Sequence, residues 1–387
     1  MVNTEQLKQD VEYLAGKLPH RGANTDNERL AAEYLQSRFA THTPQAEIED
    51  FHSIDTYAYL FAAYYVEFVI VALLATWFPW IGLAYGSVIF VMYLAEFTGY
   101  SVMGRFLPQY ETQNVMGRFL SRDPKRLLIV TSHYDSPKAT ALTHPSRARW
   151  LRIAHLGVVF CMLTIIVSCA AAGMGVLEGS DYRADIWLRW LCVAMLVSAA
   201  MVLYVGESQA EFVSGAVNNA SGVAALLQLA ESLKEEPPDT TDVWLVATGS
   251  KETWLNGMRR LMLGLNLDKE RTYFLNIAHV GAGDLRYVTG EGMMHVFPSS
   301  KELLKEARDL APEFDATPLK YRGFPTDALI PLTRGYKALT IMATDAHGLP
   351  AHWNWHSDAV SEIQMDVLSR AAAYAEAIVR RVDAYDG

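Results

Sequence analysis

The chain has 387 residues, of which 51% are hydrophobic and only 20% charged, and its net charge is −10. That balance argues against a protein that grips nucleic acid, because a phosphate backbone selects for a basic face, and the apolar excess points to segments that meet lipid. The three cysteines, Cys161, Cys169 and Cys192, all fall in apolar runs; they read as small buried hydrophobes, not as a disulfide framework or a thiolate metal site.

In chain order, Met1 to Asp10 is polar and has no apolar run, so no cleavable leader is expected. Glu5 to Leu18 and Thr25 to Phe39 have helical apolar spacing, and the second places Asp26 and Glu28 in its first turn, where the macrodipole favours acids. Tyr57 to Phe78 carries Glu67 as its only charge, and Pro79 to Ala95 carries none before Glu96. Since about 20 apolar residues cross a bilayer, this predicts two antiparallel helices that turn at Pro79-Trp80. Ile153 to Leu177 and Ala184 to Gly206 predict a second pair, with Arg189 near the start of the last helix. Tyr57, Trp77, Trp80, Tyr100, Trp150, Trp187, Trp190 and Tyr204 sit near the ends of these runs, as interfacial aromatics do. Glu67 is costly in lipid and should face a partner helix or cavity. Glu96 lies near an end and can reach the interface.

Asn114 to Leu120 and Leu127 to Thr131 read as strands, the second a continuous apolar run typical of a strand covered on both faces. An amphipathic helix follows over Ala220 to Leu233, with further strands at Val243 to Ala247, Tyr273 to Ala278 and Lys337 to Ile341. Alternating strands and helices predict an α/β sandwich with a largely parallel or mixed sheet, whose chemistry gathers at the carboxyl ends of strands. Each apolar hairpin returns the chain to its starting side. Residues 1–56, 104–152 and 207–387 are therefore expected to form one soluble domain, interrupted by transmembrane hairpins at 57–103 and 153–206. Nine basic residues lie between the hairpins, from Arg105 to Arg152, against Arg183 and Arg189 on the far side. This bias puts the soluble domain on the cytoplasmic side.

Five segments at the predicted strand ends resemble metallopeptidase family 28, the co-catalytic zinc aminopeptidases and their carboxypeptidase and glutaminyl-cyclase relatives. His133-Tyr134-Asp135 is similar to the family's first His-x-Asp, where the histidine binds zinc and the aspartate orients it. Gly215 to Ala224 resembles a Gly-Ala-x-Asp-Asn-Ala-Ser-Gly helix start whose aspartate bridges both metals; the residue here is Asn218. Lys251-Glu252-Thr253-Trp254-Leu255-Asn256-Gly257 stands where the family has Glu-Glu-x-Gly-Leu-x-Gly, so Lys251 holds the general-base position and Glu252 that of a ligand. Asn276-Ile277-Ala278 falls on Asn-Leu-Asp, leaving Ala278 for the second aspartate, and His356 matches the last histidine. The resemblance implies a three-layer zinc-aminopeptidase-like sandwich.

A paired-zinc hydrolase needs carboxylates to balance two dications, an anionic bridge and a base for the shared water. Asn218, Lys251, Glu252 and Ala278 together carry no net charge. No catalytic group is then intact, no cofactor is expected, and His133, Glu252 and His356 are vestigial ligand candidates; the alternative is one weakly bound zinc. His279 and Asp284 are candidate substitute ligands, although a solvated loop histidine is commoner. Ser250 beside Lys251 invites a serine–lysine nucleophile, but neighbouring residues of a strand point to opposite faces. Trp254, Trp353 and Trp355 suggest an apolar pocket, with packing the commoner role. The expected function is a catalytically inactive peptidase-like subunit that scaffolds a membrane complex, with a membrane-protein partner or a second copy of itself. The alternative is a membrane-tethered zinc aminopeptidase or related amidohydrolase.

Overall fold

The structure is a computed structural model and describes residues 2–176 and 179–385. Eight strands form the main sheet: β1 (Ala46–Ile54), β2 (Gln109–Phe119), β3 (Arg126–His133), β4 (Thr241–Thr248), β5 (Thr272–Ala278), β6 (Asp284–Glu291), β7 (Thr317–Tyr321) and β8 (Lys337–Thr344). Their order is β1-β2-β4-β3-β5-β8-β6-β7, with Phe297–Pro298 added beside β6. The central strands β4, β3, β5 and β8 run parallel, and β1, β2 and β6 make the sheet mixed. Strands from all three sequence segments outside the apolar hairpins pair directly, since β1 meets β2 and β2 meets β4.

Alternation along β3 explains the layers. Leu128 and Val130 pack with α1 (Thr4–Glu12), α2 (Asp26–Ala40), α7 (Ser221–Glu235), α9 (Lys301–Leu310) and α10 (Met365–Asp383). Ile129, between them, faces the opposite layer with Met258, Leu261 and Met262 of α8 (Asn256–Leu263). Both faces are covered, which is why the strand is uninterruptedly apolar. The helix spacing of Thr25 to Phe39 becomes α2, whose N-cap Thr25 accepts the Glu28 N–H through its side chain.

Among the described residues, four helices are long and apolar enough to cross a membrane: α3 (Tyr57–Trp77), α4 (Pro79–Glu96), α5 (Leu151–Met174) and α6 (Gly179–Gln209). The predicted end of the third run, Leu177, lies outside the described residues. α3 and α5 each pack against the other three, while Val66, Ile70, Phe160 and Val167 point outward and are exposed. Within the first hairpin, Glu67 finds a partner that the sequence did not reveal, because the Tyr85 hydroxyl of α4 donates to its carboxylate at 2.5 Å.

Glu96 departs from the expectation. It does not reach toward an interface but is buried, accepting from Tyr64 (3.0 Å), Ser101 (2.9 Å) and the Arg259 guanidinium of α8 (3.2 Å). The Glu96 backbone carbonyl also accepts the Trp254 indole N–H at 3.0 Å. The end of α4 is thereby tied to the loop that carries Glu252.

Candidate functional site

The loops after β3, β4 and β5 meet at one end of the sheet, as the parallel strands dictate. His133 is the last residue of β3 and is buried. Its Nδ1 lies 3.2 Å from a carboxylate oxygen of Asp135, whose other oxygen accepts the Glu252 N–H at 2.7 Å. Burial by itself would raise the Asp135 carboxyl, but the His133 hydrogen bond and charge, the Glu252 N–H and the Lys251 ammonium hold it below the ordinary value. The Asp135 carboxylate thus lies within hydrogen-bonding distance of the His133 ring.

Asn218 sits in the tight Ala216–Ala220 turn ahead of α7. Gly215 starts the turn at φ +64, and a Cβ there would lie 2.5 Å from the Asn218 carbonyl oxygen, so the turn requires glycine. Asp358 fastens it from the other side by accepting the Val217 and Asn218 N–H groups at 2.6 and 3.1 Å. The Asn218 side chain then donates to Glu252 at 3.2 Å and to Asn354 at 2.5 Å. Lys251, nearly buried, places its ammonium 2.8 Å from the same Glu252 oxygen, and the Asn354 amide reaches the other at 3.5 Å. Glu252 is thus engaged by an ammonium and two amides. Ala278, buried at the end of β5, offers no donor atom.

His356 is not brought to this cluster. It is exposed, with its ring 5.2 Å from that of Trp355. Left-handed backbone at His352 (φ 58) and Asn354 (φ 48) turns the segment so that Asn354 points inward in its place. Asp284 is also elsewhere, on β6, where it is exposed and pairs with Arg286. His279 does enter the site. Its ring centroid lies 5.7 Å from that of His133, and burial, then the charges of Lys251 and His133, hold it neutral well below the ordinary imidazole range. Both His133 Nε2 and His279 Nδ1 are buried without a hydrogen-bond partner. Among the described residues, however, no three His, Cys, Asp or Glu side chains converge to hold a metal ion, so the residues present do not fit the family's zinc pair. The hydroxyl of Ser250 is buried and unpartnered, and its N–H donates to Glu28; no base reaches it.

Several supporting residues carry no legible signal in the sequence. Arg21 is fully buried and donates to the carbonyls of Leu14, Tyr134, Ser214 and Gly215 at 2.6 to 2.9 Å, pinning the His133 and Asn218 loops together. Glu28 fastens the start of the Lys251 loop. Thr248 at the end of β4 donates to buried Asp327 at 2.5 Å.

Behind these lies Glu291, whose carboxylate accepts from Thr326 at 2.7 Å and whose second oxygen has no partner. Burial pushes its pKa up to about 8, against the lowering by Thr326 and Thr340. The folded carboxyl keeps its proton to a higher pH than the unfolded one, so folding takes up a proton and stability is lost as pH rises from the ordinary glutamate range toward 8. Glu291→Gln should remove that slope, which amounts to at most ~1.4 kcal/mol per pH unit. Unfolding of both proteins across this range checks it; parallel pH profiles would contradict the assignment.

The cleft above the cluster has ≈ 410 Å³ of empty volume and is lined by Tyr57, Lys138, Glu207, Glu252 and Asn354 among others. Trp254 does not line it but packs into the apolar bundle, its ring 4.8 Å from Phe61. Trp353 packs on Phe324, and Trp355 on His144.

Residues 199–379 match the sequence model described as Peptidase family M28. An aminopeptidase from Aneurinibacillus sp. strain AM-1 shares the fold with a TM-score of 0.59 at 12% identity, over 98% of this chain and 94% of that one. A glutaminyl cyclase from an Acidobacteriales bacterium gives 0.58 at 13% identity, over 99% and 95%. The LapA aminopeptidase of Legionella pneumophila gives 0.57 at 9% identity, over 100% and 73%. No curated protein matches the chain. By these matches the chain has the aminopeptidase fold and resembles peptidase family M28 over residues 199–379.

Proposed function

We propose that this chain is a membrane-anchored, catalytically silent relative of the zinc exopeptidases, which uses its domain and its cleft for binding within a membrane complex. The observation that carries this reading is the Lys251–Glu252 ion pair at 2.8 Å, saturated by Asn218 and Asn354. A cation built into the chain occupies the electrostatic role of the metal, and where a hydrolase needs a proton acceptor the site offers an ammonium. The four apolar helices supply the anchor, and the basic residues between the hairpins favour a cytoplasmic domain.

A second reading rests on the unpartnered His133 Nε2 and His279 Nδ1, which together could retain one weakly held zinc in a membrane-tethered aminopeptidase or amidohydrolase. Gentle detergent extraction followed by size analysis, mass spectrometry and an aminoacyl-arylamide assay separates the two. The first reading expects a reproducible membrane-protein companion or defined homo-oligomer and no hydrolysis. An active monomer inhibited by chelator would favour the second.

A further inference from the structure

The polar cleft over Glu252 has an apolar neighbour that peptide hydrolysis does not call for. This second cleft has ≈ 860 Å³ of empty volume and is walled by Phe61 and Tyr65 of α3, Val158 of α5 and Leu203 of α6. Trp254 and Phe324 close it on the side of the sheet domain. The two clefts adjoin, because Tyr57 lines both, and Thr253 of the polar one is followed directly by Trp254 of the apolar one.

Water is a poor occupant of such a space. Three of the polar groups at its edge are already committed: His155 Nε2 to the Tyr93 hydroxyl at 2.6 Å, the Trp254 indole N–H to the Glu96 carbonyl, and the Thr143 hydroxyl to the Thr140 carbonyl. A water molecule there would find few of the two to four partners it needs. Hydrocarbon has no such requirement. Ala154 of α5 and Val202 of α6 line the cleft and are exposed, which gives it a mouth between these helices. Deeper in the bundle the same two helices touch, with Cys161 Sγ 4.0 Å from Met195 Sδ. The stretch from Tyr57 to Tyr65 that lines the cleft rises ~12 Å along α3, close to the depth of one leaflet, which is half of a core ~30 Å thick.

Charge at the polar end points to the headgroup. Asp55, Glu207 and Glu252 line that cleft against Lys138 alone. Glu207 is paired with Lys138 and Glu252 with Lys251, so the excess charge is negative and complements an ammonium.

We propose that the adjoining clefts bind a lipid of the nearer leaflet, with an acyl chain in the apolar cleft and an ammonium-bearing headgroup over Asp55. This rests on the reading of α3 to α6 as membrane spans, and it gives the cleft of a metal-free domain a ligand. The clefts meet where the Glu252 loop meets the bundle, so occupancy of one is felt at the other.

The test places the full chain in nanodiscs containing a lipid with a photoactivatable group in its acyl chain, as either the ethanolamine or the glycerol headgroup form, and maps cross-links by mass spectrometry. Cross-links are expected at Phe61, Val158, Leu203 or Trp254, several-fold stronger for the ethanolamine form. Outward-facing Phe160 and Val167 serve as the bilayer reference. Ala199→Trp and, separately, Val158→Trp should fill the cleft and reduce labelling of Phe61 and Trp254 several-fold, with the reference positions unchanged. Labelling of the reference positions without the cleft, or cleft labelling that neither tryptophan reduces, would overturn the proposal. Equal labelling by both headgroups would overturn its headgroup half. An absence of labelling at the reference positions as well would instead remove the spanning reading, and the proposal with it.

Discussion

Glu96→Leu is expected to cost about 3–5 kcal/mol, because it leaves the Arg259 guanidinium buried without its carboxylate. Arg259 is 7% exposed, and among the described residues Glu96 is the acid it pairs with. Tyr64 and Ser101 lose their acceptor in the same substitution. The effect should fall on the union between the apolar bundle and the sheet domain, since Glu96 ends α4 and Arg259 lies on α8. Glu96→Leu combined with Arg259→Met should recover most of the loss, as buried pairs replaced by apolar side chains often do. Thermal unfolding of the three variants in detergent checks this cycle; additive losses would show that the pair is not the coupling element.

Lys251→Met is the second substitution with a large expected effect, and it acts on stability. Glu252 would keep its charge in a nearly enclosed position with only two amides to compensate, at a cost of about 3 kcal/mol. Lys251→Met with Glu252→Gln should recover much of it. The converse experiment rebuilds a metal site by Asn218→Asp, Lys251→Glu, Ala278→Asp and Asn354→His together. These residues act as a unit, so partial sets are expected to bind little zinc and the complete set to bind it stoichiometrically. Replacing Ser357→His in place of Asn354→His should not help, because the side chain at 357 is exposed.

The parts of this molecule that were legible in sequence are those governed by periodicity. Uninterrupted apolar runs marked the buried central strands β3, β4, β5 and β8 and the four long helices, because both kinds of element are apolar all round. β1 escaped notice since it is an edge strand, and Glu47, Glu49 and Asp50 break any simple alternation. β6 was hidden in a stretch that reads as a loop, so Asp284 was a ligand candidate before it proved to start a strand. Within the site, motif spacing located His133, Asp135, Asn218, Lys251 and Glu252, whose positions follow from the ends of regular elements. It misplaced the last one. His356 matches the family's last histidine, but the two left-handed residues that aim Asn354 inward have no signature in a single sequence. Arg21 and the Glu96–Arg259 pair were illegible for a related reason: each joins segments far apart in the chain, and nothing local records the contact.

With Lys251 standing in for a metal ion, the full chain purified without chelator should carry much less than one zinc per chain, unchanged when zinc is supplied during purification. One tightly held zinc per chain, retained through dialysis, would contradict it.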